Sequence, residues 1–245
     1  MSMAQNIYDD PTFFQGYSQL PRSRLGLDGA PEWPALRALL PPLRGRAVVD
    51  LGCGYGWFCR WAAAQGAAAV LGLDVSEKML ARARADTAGA AVRYERADLE
   101  TLALPAAAYD LVYSSLALHY VADLAPLLAT VRRALRPDGW LVFSTEHPIY
   151  MAPASPGWEA DAQGRKRWPV DGYHREGPRV TDWLAPGVVK HHRKLGTLLN
   201  ALIGAGLAIA HVDEWGPSEA QVAANPDLAD ERERPMMVLV AARAA

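Results

Sequence analysis

The chain has 245 residues, 51% of them apolar, and carries 25 Lys and Arg against 27 Asp and Glu for a formal charge of -2. That length suits one large α/β core, and the balanced charge without a basic tract argues against a nucleic-acid partner. No apolar run is long enough to cross a bilayer, no signal-peptide pattern follows Met1, and Cys53 and Cys59 match neither a disulfide framework nor a zinc spacing; no membrane partner and no metal are expected, and the expected compartment is the cytoplasm.

In chain order, residues 1–43 hold Tyr8, Phe13, Phe14 and Tyr17, more aromatic surface than a disordered tail carries, with a short helix expected over 35–40 before Pro41 and Pro42. Ala47, Val48 and Val49 form the apolar run of a strand buried on both faces. It ends at Asp50, followed by glycines at Gly52, Gly54 and Gly56, a helical pattern over 57–65, and a second apolar run over 69–73 that ends at Asp74. Strand, glycine turn, helix and strand make a nucleotide-binding half-fold, in which the turn lets a ligand approach the backbone and the helix N-terminus offers unpaired N–H groups. A dinucleotide fingerprint needs its third glycine at position 57, where Trp57 stands. A carboxylate two residues before Gly52 also opposes a pyrophosphate and favours an ammonium group.

Ser76 is a good N-cap for a helix reaching residue 85. A third strand over 92–96 ends at Ala97-Asp98-Leu99, and a fourth covers 109–115. Leu124, Leu127, Leu128, Val131 and Leu135 have helical spacing, stopped by Pro137-Asp138-Gly139, with a fifth strand over 140–145. From Glu146-His147-Pro148 a Pro- and Gly-rich segment runs to about residue 190 with Trp158, Trp168, Tyr173 and Trp183; this aromatic load reads as a substrate cover or as a dimer contact. Leu195 to Ile203 form an amphipathic helix with His191 and His192 at its start, and strands are expected over 207–215 and 236–242.

The stretch VVDLGCGYG…GLDVSEKM resembles the class I S-adenosylmethionine-dependent methyltransferases, in particular the type 11 small-molecule branch similar to quinone-biosynthesis methyltransferases. The resemblance implies an α/β fold, a doubly wound, mostly parallel seven-stranded sheet with an antiparallel last strand. It implies one domain, with an N-terminal lid (1–43), a cofactor-binding core (44–146), a substrate-covering insertion (147–190) and a C-terminal helix with two strands (191–245). Asp50, Gly52, Cys53 and Gly54 would then line the methionyl end of S-adenosyl-L-methionine, Asp74 and Val75 would hold the ribose, and Asp98 and Leu99 would meet the adenine. Tyr17, Ser114, Leu116 and His119 would complete the cofactor surface. Met79 faces either the adenine or the core, Asp98 alternatively caps its turn, and Arg22 or Arg24 is the candidate partner of the cofactor carboxylate. The segment 1–43 is either this lid or a helix packed on the domain.

Methyl transfer is an in-line displacement, for which positioning supplies up to roughly 7–11 kcal/mol. An oxygen or nitrogen acceptor also needs a proton removed, and histidine suits that task at neutral pH. His119 and His147 follow the fourth and fifth strands and are the candidate bases, with structural roles as the alternative for each; His191 and His192 are further candidates. The expected reaction is methylation of a small-molecule acceptor by a monomer or homodimer. A nicotinamide oxidoreductase and a non-catalytic cofactor-binding protein are the alternatives.

Overall fold

A computed structural model describes residues 5–244; residues 1–4 of the expected lid and residue 245 of the last segment lie outside the described residues. The main sheet has seven strands: β1 (Ala47–Leu51), β2 (Ala69–Asp74), β3 (Val92–Arg96), β4 (Tyr109–Ser115), β5 (Leu135–Glu146), β6 (Leu207–Trp215) and β7 (Met237–Ala244). Their order across the sheet is β6-β7-β5-β4-β1-β2-β3. β1 pairs in parallel with β2 and β4, as do β2 with β3 and β4 with β5, whereas β7 is antiparallel to both β5 and β6.

Helices cover both faces, which is why the central strands are apolar along their length. Val48 turns to one side and packs with Val70, Leu111 and Val142 against Phe58, Ala62 and Leu80. Its neighbour Val49 turns to the other and packs with Leu71, Val112 and Phe143 against Leu124, Leu128 and Leu202. The helix Glu77–Ala85 starts where expected, with Met79 N donating to Ser76 Oγ at 3.1 Å. The helix Leu124–Ala134 ends sooner than its apolar spacing suggests. Leu135 already belongs to β5 and pairs with Tyr109, and the ladder shifts before Leu111 meets Trp140. Pro137 cannot continue a helix, and the left-handed Asp138 (φ 60°) lets the extra residues bulge out of the strand.

The segment after β5 is more regular than its composition suggests. It contains the helix Pro148–Met151, a ribbon of Glu159–Ala160 with Lys166–Arg167, and a hairpin of Gly177–Thr181 with Val188–His192. Val188, Lys190 and His192 are buried while Val189 and His191 are less so, the alternation of a strand with one covered face. His191 and His192 therefore lie on this hairpin and not on the following helix, Leu195–Gly204.

Arg234, just before β7, fastens the segment to the body. It is 7% exposed, paired with Glu231 at 2.6 Å, and its guanidinium lies 4.1 Å from the Trp168 ring, 4.7 Å from Tyr150 and 5.1 Å from Trp158. A desolvated cation over rings is worth about 2 kcal/mol, and removing it also leaves Glu231 without its partner. Arg234→Ala should therefore lower stability by about 2–4 kcal/mol in urea denaturation, with Arg234→Lys losing less. Equal stability of the wild type and Arg234→Ala would refute the clasp.

Candidate active site

The site begins where β1 and β2 end. Gly52 N and Cys53 N donate to Leu73 O at 2.8 and 2.9 Å, which folds the glycine turn over the tip of β2. Gly54 N donates to Asp74 Oδ2 at 2.9 Å and Ser76 N to Asp74 Oδ1 at 2.9 Å, so one carboxylate ties the turn to the next helix. Burial raises the pKa of Asp74 above the usual carboxylate range, against the pull of these backbone donors. Asp50 is 2% exposed and accepts from Cys59 Sγ at 3.3 Å; burial, with the nearby Asp74 adding, pushes its pKa up to about 7. Among the described residues no cation pairs with Asp50.

Above these acids lies a cavity of about 260 Å³. Of the residues expected at the cofactor, Tyr17, Asp50, Gly52, Cys53, Gly54, Asp74, Val75, Met79, Asp98, Leu99, Leu116 and His119 all line it. Met79 also packs inward, being 1% exposed. Asp98 takes up its capping role as well, accepting from Glu100 N at 2.9 Å. Burial pushes the Cys53 thiol up to about 11, so it stays protonated. Leu116 holds a left-handed backbone (φ 52°) at the wall, a local strain of the kind found at functional sites.

Other expected residues stand apart. Ser114 is fully buried and donates to Leu51 O at 2.8 Å; alternation along β4 places Ser115 on the cavity instead. His147 does not line the cavity: its Nδ1 accepts from Ile149 N at 3.0 Å, capping the helix Pro148–Met151, and its Nε2–H donates to Glu214 Oε1 at 2.8 Å. Both ring nitrogens are thus engaged. Arg22 reaches the cavity with its guanidinium held by Glu32 at 3.0 and 3.3 Å, and Arg24 is exposed elsewhere. His192 is buried, with Nε2–H donating to Tyr173 O at 2.9 Å.

Sequence reasoning missed the wall opposite the glycine turn. Glu146 at the end of β5 and Lys190 on the hairpin form a buried ion pair that lines the cavity with Tyr8, Tyr120, Tyr150 and Trp183. His119 sits beside this pair; burial pulls its pKa down to about 4, so the imidazole is neutral, and Glu146 N donates to its Nδ1 at 3.4 Å. Also missed were two ties made by the N-terminal segment. Asp9 accepts from Ser76 Oγ at 2.6 Å and Lys78 N at 3.1 Å, an anion at a helix N-terminus, and Gln5 exchanges hydrogen bonds with Gly187 O (2.8 Å) and Val189 N (2.9 Å) on the hairpin. Gln5 thus joins the N-terminal segment to the hairpin, and the Phe13 ring lies edge-on to Trp183 at 5.4 Å.

The turn suits a ligand with a cationic end. Gly54 is left-handed (φ 53°), and a Cβ there would meet nothing within 4 Å, so the backbone faces open space beside an unpaired buried acid. The pattern described as a methyltransferase domain matches residues 49–143. A crystal structure of an S-adenosylmethionine-dependent methyltransferase from Mesorhizobium loti is 65% identical, covers 89% of this chain and all of that one, and superposes with a TM-score of 0.87. A second, from Listeria monocytogenes, is 40% identical over 87% of this chain and 98% of that one, with a TM-score of 0.80. The malonyl-[acyl-carrier protein] O-methyltransferase of Enterobacter lignolyticus is 41% identical over 111 residues; the match spans 45% of this chain and 43% of that protein. The chain belongs to the S-adenosylmethionine-dependent methyltransferases.

Proposed function

We propose that the cavity seats the cofactor with its ammonium group on Asp50, its ribose hydroxyls on Asp74 and its adenine beside Asp98 and Leu99, and that a small-molecule acceptor fills the space toward Glu146 and Lys190. The observation that carries this reading is the open cradle at Gly54, held from below by Asp74 and flanked by the unpaired Asp50. When bound, the cofactor supplies an activated methyl group on a sulfonium. The chain's own work is to hold the acceptor in line and exclude water. The N-terminal segment serves as the lid and the hairpin as the acceptor's cover, since Tyr8, Tyr17, Trp183 and Lys190 line the cavity from those two segments. Neither candidate histidine acts as the base in this reading: His147 lies off the cavity, and His119 is a neutral ring of the wall whose Nδ1 faces a backbone donor.

Calorimetry tests the assignment. The protein should bind S-adenosylmethionine and its demethylated product, and NAD should give no heat. Asp74→Ala should weaken cofactor binding by about 1–3 kcal/mol through lost hydrogen bonds. Unchanged affinity in a folded variant would remove Asp74 from the ribose.

A further inference from the structure

Resting on the methyltransferase reading of the cavity, we propose that the acceptor is a flat phenol- or enol-type compound whose hydroxyl proton passes to Glu146 and whose oxyanion is held by Lys190. Lys190 and Glu146 expose only 7% and 13% of their side chains, and both line the cavity. Lys190 Nζ donates to Glu146 Oε1, and the same oxygen lies 3.9 Å from His119 Nε2. Among the described residues Glu146 Oε2 takes no hydrogen bond, so this oxygen has capacity to accept a proton. Holding such a pair away from water is costly, and apolar side chains of similar volume would often serve a fold as well. Its position on a cavity wall gives that cost a chemical use.

The charges choose among acceptors. A cationic amine would bring a net positive charge to a wall whose own charges cancel, and its nitrogen has no lone pair to offer while protonated. A carboxylic acid would arrive already ionised, would bring a net negative charge to the same wall and would need no base. An acidic hydroxyl enters neutral and loses its proton to Glu146, and its oxygen takes the carboxylate's place against Lys190, so the net charge of the wall is zero before and after. The acceptor O–H bond breaks and an O–CH3 bond forms, while the S–CH3 electron pair stays on sulfur; the proton leaves Glu146 for solvent when the product departs. Of the titratable groups near the pair, Tyr8 and Tyr120, joined hydroxyl to hydroxyl at 3.2 Å, and Tyr150 are held protonated by burial, and His119 is neutral. Arg193, whose pKa burial lowers, donates to the backbone at Ala122 O. Trp183, with Lys190 Nζ 4.8 Å from its ring centre, completes an aromatic wall for a planar ring.

The test uses 4-nitrophenol, which colours on ionisation, titrated at mildly acidic pH into the full chain saturated with S-adenosylhomocysteine. Wild type should bind the dye in its coloured form with no net proton release, because Glu146 keeps the proton. Glu146→Gln should bind the phenolate and release one proton per dye, so its affinity falls about tenfold for each pH unit below the dye's pKa. Lys190→Met should lose the colour and Lys190→Arg should keep it. Colour retained in Lys190→Met, identical proton release by wild type and Glu146→Gln, or no dye bound by a protein that binds S-adenosylhomocysteine would each overturn the proposal. Failure to bind S-adenosylhomocysteine would instead overturn the methyltransferase reading of the cavity on which it rests.

Discussion

Asp50→Asn should make the cofactor-free protein more stable at neutral pH while weakening its hold on the cofactor. A carboxyl group in an unfolded chain titrates near 3.9, whereas burial holds Asp50 at about 7. Below about pH 4 both states are protonated and the mismatch costs nothing. As pH rises from about 4 to 7, the unfolded chain ionises and the folded one does not, so stability falls by about 1.4 kcal/mol per unit, up to about 4 kcal/mol, and is flat above. Asparagine does not titrate, and its carbonyl can still accept from Cys59 Sγ. Urea denaturation at about pH 5 and about pH 8 should show a loss in wild type that the variant lacks; parallel curves would refute the shift. On the binding side, the cofactor's ammonium favours the ionised carboxylate, so wild type should release a proton on binding below neutral pH and Asp50→Asn should not. A charge-assisted hydrogen bond of about 1.5–3 kcal/mol sets the affinity lost at roughly 10- to 150-fold.

That both acids stand at strand tips was legible because two apolar runs end at Asp50 and Asp74 on either side of a glycine turn, and a parallel sheet needs such runs. The other half of the cavity was not legible, for physical reasons. Glu146 and Lys190 are 44 residues apart and meet only after the hairpin folds back, and an inward lysine contradicts the usual exposure of that residue. Ser114 and Ser115 differ by one step of a two-residue period, and flanking residues that are apolar on both faces do not set the phase. The cap at His147 had a signal in Pro148, since proline favours the first helical position. The pattern Ser218-x-x-Gln221 likewise announces the capping box that opens the helix Glu219–Ala224 between β6 and β7.

The glycines of the turn share a backbone conformation but should fail differently when replaced. Gly56 is left-handed (φ 71°), and a Cβ there would lie 2.1 Å from Tyr94 Oη, a hydroxyl that is itself 2.9 Å from Thr87 Oγ1 and donates to Gly56 O at 3.4 Å. Gly56→Ala therefore combines the left-handed penalty of about 1–2 kcal/mol with overpacking of about 1–3 kcal/mol, and should destabilise the fold by about 2–5 kcal/mol. Gly54→Ala bears only the first cost, because its Cβ would point into open cavity. It should stay folded, about 1–2 kcal/mol weaker, yet bind the cofactor about 10- to 100-fold less tightly, since the methyl group occupies the cradle. Thermal melting and calorimetry on the two variants separate the roles. A Gly54→Ala protein that keeps full affinity would mean that the ligand does not approach the turn there, and a Gly56→Ala protein as stable as Gly54→Ala would mean that Tyr94 yields without cost. The contrast follows from what lies beyond each α-carbon: at Gly56 the fold itself, at Gly54 the space that the cofactor would fill.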